Sequence, residues 1–282
     1  METLLYTDAA KVKIGTGPAV VIGEKINPTG RKKLAAALQA RDFDYVIELA
    51  MTQVAWGAEV LDVNVGVPGI DEVALLPEVV KLVASVVKAP ICIDTPNYDA
   101  LAAALPVAPG KPLVNSVNGE EKSLQRILPL VKDRGAAVIG LTMDDSGIPA
   151  TAEERLAVAA RLIERATAMG IPLEDIIIDP LVLTVGADSH AGAVTLKTIQ
   201  LLRQEFGVNI NLGASNVSFG LPDRHTLNQA FLALAIGQGA TCMITDPMKL
   251  TAVIRAADLL LGRDTYSKRW VSFFRQHPPE TK

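Results

Sequence analysis

Runs of Val, Ile and Leu in this chain repeatedly end on a carboxylate or a carboxamide. Glu24 and Asn27 follow AVVIG, Asp62 and Asn64 lie two apart in AEVLDVNV, Asp94 closes PICID, and Asn115 lies in PLVNS. Met143 and Asp144 follow AAVIGLT, Asp179 closes DIIID, Asn216 follows VNINLGAS, and Asp246 closes ATCMITD. A carboxylate accepts two adjacent N–H groups, while an asparagine donates and accepts in one plane. Such a set suits a neutral heterocycle that presents a row of donors and acceptors. A phosphate or dicarboxylate would call instead for Arg, Lys or a helix N-terminus. The edge of a 2-amino-4-oxo pterin is a row of this kind: its amino group and N3–H suit a buried Asp, and its carbonyl and remaining ring nitrogens suit Asn.

The segments that must hold these side chains alternate. Eight short β-branched runs, completed by those above, are separated by stretches such as YVIELAMTQVAWGA, VALLPEVVKLVASVVK, SLQRILPLVKDRG, AEERLAVAARLIERATAMG and NQAFLALAIGQG. Their apolar residues recur at i, i+3, i+4 and i+7, the helical period. Eight strands each followed by a helix within roughly 250 residues predict a TIM (β/α)8 barrel, as a single domain over residues 1–282. An open doubly wound sheet would announce a Gly-rich turn after its first strand, and GEKINPTGRK is not G-x-G-x-x-G.

In a barrel the C-terminal strand ends form the catalytic face, so these polar residues converge there. Helix capping is the competing reading. It is preferred for Asp71, Thr151 and Asp42, which precede helical patterns. Asp94, Asn115, Asp179 and Asn216 are still attached to their strands and are assigned to one ligand site. Strand alternation turns Asp62 and Asn64 the same way, and turns Cys92 the same way as Asp94 but one layer deeper. Cys92 and Cys242 therefore read as reduced core residues.

Apolar residues make up 49% of the chain and aromatics only 4%, as expected for a parallel sheet buried on both faces. The net charge of −4 is scattered along the chain, which disfavours nucleic acid or an anionic membrane as partner. With no signal-peptide pattern at METLLYTDAAKVKIG and no apolar run of bilayer length, a cytoplasmic protein is expected. His190, His225 and His277 stand far apart, and no Cys/His set has metal-ligand spacing, so no bound metal is expected.

GEKIN, LDVNVG, CIDTPN, VNSVNGE, IGLTMDDSGIP, IIIDPL and GASNVSFGLPDR, in that order, resemble the pterin-binding methyltransferases that move a methyl group between methyltetrahydrofolate and a corrinoid protein. The resemblance runs from about Val20 to Gly262. It implies a barrel like that of dihydropteroate synthase, a tetrahydrofolate substrate, a corrinoid supplied by a partner protein, and a homodimer. It further implies that Asp94, Asn115 and Asp179 hold the pterin, and that Asn216 approaches N5, the methyl-bearing atom, as the catalytic residue. Glu24, Asn27, Asp62, Asn64, Met143, Ser215, Ser218, Arg224 and Asp246 are minor candidates. The synthase family carries a basic S-R-K cluster after the seventh strand, where this chain has SNVSFG, and that favours methyl transfer. A dihydropteroate synthase-like enzyme and a non-catalytic folate-binding barrel are the alternatives. Within one-carbon metabolism, the glycine betaine demethylation type is the nearer match.

Other stretches carry weaker signals. ADSHAGAV nearly spells the D-x-H-x-x-G element of cobalt-binding domains, but its glycine is one place early, and it reads as a loop and helix start. Asp223 and Arg224 either pair to close their loop, the preferred reading, or reach toward the folate tail. Lys25, Arg31, Lys32 and Lys33 are either a solvated charge run or an attraction for the glutamate of folate. The aromatics of KRWVSFFRQHPPETK are expected to cover the barrel bottom or pack on another subunit.

Overall fold

The computed structural model describes residues 1–278. Eight parallel strands close into a barrel: β3 (Val20–Ile26), β4 (Val60–Val63), β5 (Ile91–Asp94), β6 (Leu113–Asn118), β7 (Ala137–Leu141), β8 (Ile176–Asp179), β9 (Asn209–Gly213) and β10 (Cys242–Thr245), with β10 pairing back onto β3. The expected (β/α)8 barrel is thus the observed one. Helices α1 (Lys32–Ala40), α2 (Asp44–Ala55), α3 (Glu72–Val86), α4 (Tyr98–Ala104), α5 (Glu121–Arg134), α6 (Ala152–Ala168), α7 (Ala191–Glu205), α8 (Arg224–Gln238) and α9 (Pro247–Leu260) form the outer ring. No helix among the described residues is long and apolar enough to cross a membrane.

Local signals account for where the helices start. Asp71 accepts a hydrogen bond from Ala74 N at the head of α3, and Thr151 forms a capping box with Glu154 at the head of α6, satisfying N–H groups that have no helical partner. Asp42 does not cap: the residue before α2 is Phe43, with no side-chain cap. ADSHAGAV is a loop and helix start, as expected, with Asp188 accepting from His190 N just ahead of α7.

Strand alternation divides the core into two clusters. Outward-facing Val63, Ile93, Val114, Val138 and Ile178 pack beneath the helices. Inward-facing Val20, Ile22, Val60, Cys92, Leu113, Ile139, Ile177 and Cys242 fill the barrel. Cys92 is fully buried one layer below Asp94, and burial pushes its thiol pKa well up, so it is the inert core group expected.

One element was not expected. β1 (Thr3–Tyr6) and β2 (Lys11–Ile14) form an antiparallel hairpin whose Leu5 and Ile14 join the interior cluster and close the barrel at the end away from the polar strand ends. Asn209, fully buried on the inner face of β9, donates to Thr3 Oγ1 and to the Ile14 carbonyl, both at 2.9 Å. The C-terminal aromatics are therefore not the bottom cover. They lie on α10 (Lys268–Gln276), packed on α9 and against Trp56, with the His277 ring stacked 4.1 Å from the Trp56 ring. The last part of that stretch, from residue 279, lies outside the described residues.

Asn209→Ala removes both bonds and leaves the Ile14 carbonyl buried without this donor. It should cost about 1–3 kcal/mol in a urea unfolding curve. An unchanged midpoint would mean that Leu5 and Ile14 alone hold the hairpin.

Candidate functional site

The polar strand ends meet in a cavity of about 340 Å³ at the C-terminal mouth of the barrel. Its walls include Glu24, Asn27, Asp62, Asp94, Asn115, Asp179, Ser215 and Asn216, the greater part of the sequence-derived set. Register explains the convergence. Asp94 pairs with Asn115 across β5 and β6, and Asp179 pairs with Leu141 across β7 and β8. Each lies one inward-facing step above the apolar filling.

Carboxylates at this depth need partners, and here the partners are amides. Asn27 Nδ2 and Asn64 Nδ2 both donate to Asp94 Oδ2, at 3.2 and 3.1 Å. Asn115 Nδ2 donates to Asp62 Oδ1 at 3.1 Å, and Asn211 Nδ2 donates to Asp179 Oδ2 at 2.7 Å. Asp179 Oδ1 also accepts from Leu181 N at 2.8 Å. With its NH₂ group committed to Asp62, Asn115 keeps its carbonyl oxygen for whatever enters, while the Asn211 oxygen accepts from the Cys242 thiol at 3.7 Å. The cavity floor thus offers acceptors, and it suits a ligand edge that offers N–H groups.

Burial sets the charge state of these acids. Asp62 is 1% exposed, and desolvation, reinforced by neighbouring Asp94, raises its pKa well above the usual carboxyl range. The two carboxyl groups are hydrogen-bonded to each other. Two like charges cannot share so dry a site, so Asp62 holds the proton and Asp94 accepts it. Asp94 itself is raised to about 6, chiefly by burial, with the Asn64 amide opposing. Asp179 is likewise raised to about 6 by burial, against the bonds from Leu181 N and Asn211. Both are ionised acceptors at neutral pH.

Asn216 sits differently. It lies in a 3-10 turn, Ala214–Ser218, that continues β9, and its side chain is exposed at the cavity rim. A Cβ on Gly213 would come within 3.3 Å of Asn216 Nδ2, so the glycine of GASN leaves room for that amide to lie over the strand end. The turn is fastened from α8. Arg224 donates to the Ser215 carbonyl (2.7 Å) and to Ser218 Oγ (3.1 Å), while buried Ser218 donates to Asn228 Oδ1 (2.7 Å).

Several minor candidates thereby acquire structural roles. Arg224 and Ser218 hold the turn and do not line the cavity. Asp223 caps α8 through Thr226 N, so the expected Asp223–Arg224 ion pair does not form. Asp246 caps α9 and pairs with Lys25 at 2.7 Å. Met143 stays off the cavity, its carbonyl accepting from Gly119 N, and Asn64 acts through Asp94.

Three contributors were not singled out from the sequence. Asn211 was legible in principle, since Asn209, Asn211 and Gly213 alternate onto one strand face. Gln53, fully buried on α2, accepts from Lys25 N at 2.7 Å, where the β3–β4 register shifts, and a Cβ on Gly23 would strike its Oε1 at 2.5 Å. That close approach accounts for the glycine of GEKIN. Arg155 of α6 is 1% exposed and donates to the carbonyls of Pro149, Pro180 and Leu181, pinning the loop that follows Asp179. No local pattern marks either residue.

Comparison with known proteins bears on the family and the fold. The family model described as pterin binding enzyme matches residues 23–246. The methylcorrinoid:tetrahydrofolate methyltransferase of Eubacterium limosum is 31% identical over 265 residues, which is 91% of this chain and 96% of that protein. The methionine synthase of Mycobacterium tuberculosis is 34% identical over 76% of this chain, a stretch that makes up 19% of that much longer protein. Yersinia pestis dihydropteroate synthase with a pterine-sulfa conjugate superimposes with a TM-score of 0.72 over 92% of this chain and 99% of its own, at 18% identity, a likeness of fold alone.

A buried acid raised from 3.8 to about 6 costs the ionised folded state on the order of 3 kcal/mol at neutral pH. The stability of the protonated group is fully present below the unfolded pKa and is lost as pH rises through about 6. Asp179→Asn, which mimics the neutral acid, should therefore raise the thermal midpoint of the ligand-free chain at pH 8. The gain should shrink towards pH 4. A gain independent of pH would contradict the burial account.

Proposed function

This chain belongs to the pterin-binding enzymes, and from that premise we propose that it transfers a methyl group between N5 of tetrahydrofolate and a corrinoid carried on a separate protein. The observation that carries the reading is the floor of acceptors on Asp94, Asn115 and Asp179, with the Asn216 amide uncommitted above them at the rim. The 2-amino group and ring N–H groups of a tetrahydropterin match such a floor. The E. limosum relative's name supports tetrahydrofolate as the receiving partner. A donor such as glycine betaine would load the corrinoid before it reaches this chain.

The floor residues bind and orient. Asp179 and Asp94 each accept N–H groups of the pterin edge, the Asn115 carbonyl completes the row, and Asn211 orients Asp179 from beneath. Held this way, N5 lies towards β9 and the solvent-facing opening, where a partner can dock. As tetrahydrofolate receives the methyl group, the N5 electron pair forms the new N–C bond, the pair of the broken bond stays with the corrinoid, and the N5 proton leaves. Asn216 accepts from N5–H through Oδ1, or donates to N5 through Nδ2 in the reverse direction. Its exposure gives that proton a path to water. The corrinoid supplies the reactive nucleophile or methyl carrier, so the chain contributes positioning and charge stabilisation at N5, and no strong acid or base is required beside it.

The synthase reading has less support. The turn after β9 holds Ser215, Asn216, Val217 and Ser218, with no cation in it. For the homodimer, exposed Leu234 on α8 and Leu260 at the end of α9 offer apolar surface to a second copy. A monomer in sedimentation equilibrium would remove that proposal.

Asn216→Ala should lower the methyl-transfer rate about 10- to 100-fold, the equivalent of about 1–3 kcal/mol for one contact, with little change in folate affinity. Asp94→Ala should chiefly weaken binding. The assay is anaerobic: methyltetrahydrofolate is mixed with free cob(I)alamin, loss of the Co(I) absorbance is followed, and calorimetry gives folate affinity. Wild-type rates in Asn216→Ala would remove it from catalysis, and failure of the unmodified chain to bind any tetrahydropterin would sink the whole reading.

A further inference from the structure

Methylation of tetrahydrofolate releases a proton from N5, and an asparagine amide can orient that N–H without being able to keep its proton. Four acids line the cavity, Glu24, Asp62, Asp94 and Asp179. Asp62 already holds a proton, and Asp94 and Asp179 are taken up by the pterin edge. Glu24 alone is left with no part in binding. We propose that Glu24 takes the N5 proton by way of the Ser215 hydroxyl, and returns it to N5 when methyltetrahydrofolate is the donor. The proposal rests on the reading of this cavity as a tetrahydrofolate site.

Position supports the relay. Glu24 comes from β3 and Ser215 from the turn after β9, and they meet over β10, the strand between. Ser215 Oγ donates towards the two Glu24 carboxyl oxygens, at 3.3 and 3.4 Å. Ser215 directly precedes Asn216 in the 3-10 turn, and both line the cavity. A hydroxyl accepts on one side while it donates on the other, so Ser215 can pass a proton that Asn216 has oriented. The Glu24 side chain is 22% exposed, which lets a proton held there exchange with water.

Charge supports it as well. Burial holds the Glu24 carboxyl above its ordinary range, Asp246 adds to the effect, and Arg31, Ser215 and Lys25 oppose it. Arg31 lies 3.6 Å away, while Lys25 is turned to Asp246 at 2.7 Å. Arg224 and His225 at the head of α8 and Lys249 at the head of α9 border the adjoining cavity, and Arg224 is engaged by the turn. A carboxyl raised towards neutrality can both take and give a proton. As tetrahydrofolate is methylated, the N5 pair forms the N–C bond, the N5 proton passes to Ser215, and Ser215 passes its own to the Glu24 carboxylate. In reverse, protonated Glu24 supplies the N5 lone pair with a proton through the same hydroxyl. The pair of the breaking N–C bond then stays on N5 as the methyl group leaves for the corrinoid.

The test is an anaerobic single turnover of saturating methyltetrahydrofolate with free cob(I)alamin, followed from about pH 5 to about pH 8. In this direction the protonated form of Glu24 is the active one. The rate should be full at low pH and fall as pH rises through a folded pKa above the ordinary 4.5. Glu24→Gln should lower the low-pH rate about 100-fold and flatten that falling limb, with folate affinity by calorimetry held within about threefold. Arg31→Gln removes a charge that keeps the carboxyl down, so it should move the limb to higher pH. Arg31 is half-buried at the rim and its variant is expected to fold, so it decides the matter if Glu24→Gln does not. A carboxyl that only held Ser215 in place would give a slower Glu24→Gln with the unmodified profile and an unmoved limb in Arg31→Gln. Either result, or a wild-type rate in Glu24→Gln, would overturn the relay and leave the tetrahydrofolate reading standing. If methyltetrahydrofolate binds but free cobalamin does not react, the NMR shift of the bound methyl carbon reports N5 protonation without turnover. Its midpoint should fall in Glu24→Gln, which lacks the anion that stabilises protonated N5, and an unmoved midpoint would also overturn the relay. If methyltetrahydrofolate does not bind the unmodified chain, the tetrahydrofolate reading fails and the relay with it.

Discussion

Buried carboxyl groups held by amides and by each other, with almost no cation among them, are the constraint on which this structure turns. Asp62, Asp94 and Asp179 lie in the uppermost layer of the barrel filling, and the side chains that reach them are Asn27, Asn64, Asn115 and Asn211. An ion pair there would satisfy the acids more fully, and it would leave nothing for a ligand to do. Amides stabilise the carboxylates only partly, so burial still raises Asp94 and Asp179 to about 6. The cost of burying these acids is the counterpart of the site's readiness to accept N–H groups.

The same network fixes polarity. An asparagine alone is ambiguous, since either end of its amide can face a ligand. Once Asn115 has given its NH₂ to Asp62, and Asn211 has given its own to Asp179, the ambiguity is gone. Asp62, protonated and out of reach of bulk water, matters through what it makes of Asn115 and Asp94. The barrel below makes this order possible, because Cys92, Ile139 and Ile177 fill the layer beneath and the hairpin Thr3–Ile14 closes the far end.

Cations are present near the mouth, and two of them, Arg155 and Arg224, are spent largely on backbone. Arg155 takes three carbonyls around the loop after Asp179, and Arg224 takes Ser215. Loops at a barrel mouth leave carbonyls that no strand or helix satisfies, and a guanidinium with five donors gathers several at once. The result is that the loops carrying Leu181 and Asn216 are pinned from outside by helices, while the one cation lining the cavity, Arg31, lies at its edge 3.6 Å from Glu24.

The eight barrel strands and the convergence of Asp94, Asn115 and Asp179 were legible in the sequence, because both follow from local rules: period-2 burial, helical spacing between runs, and polar residues at strand ends. The helix caps at Asp71 and Thr151 were legible for the same reason, as side chain and N–H lie within three residues. Tertiary structure alone decided what depends on groups far apart in the chain. The hairpin was invisible since each of its strands is four residues long and gains its stability from Asn209, about 200 residues away. Asp246 and Arg224 changed from ligand candidates to structural residues because Lys25 and Ser215 happen to face them. Residue type and spacing therefore determined which chemistry the mouth can hold. Which acid keeps its proton, which way each amide points and which cations remain free were set by three-dimensional neighbours, because burial and pairing are properties of the packed chain.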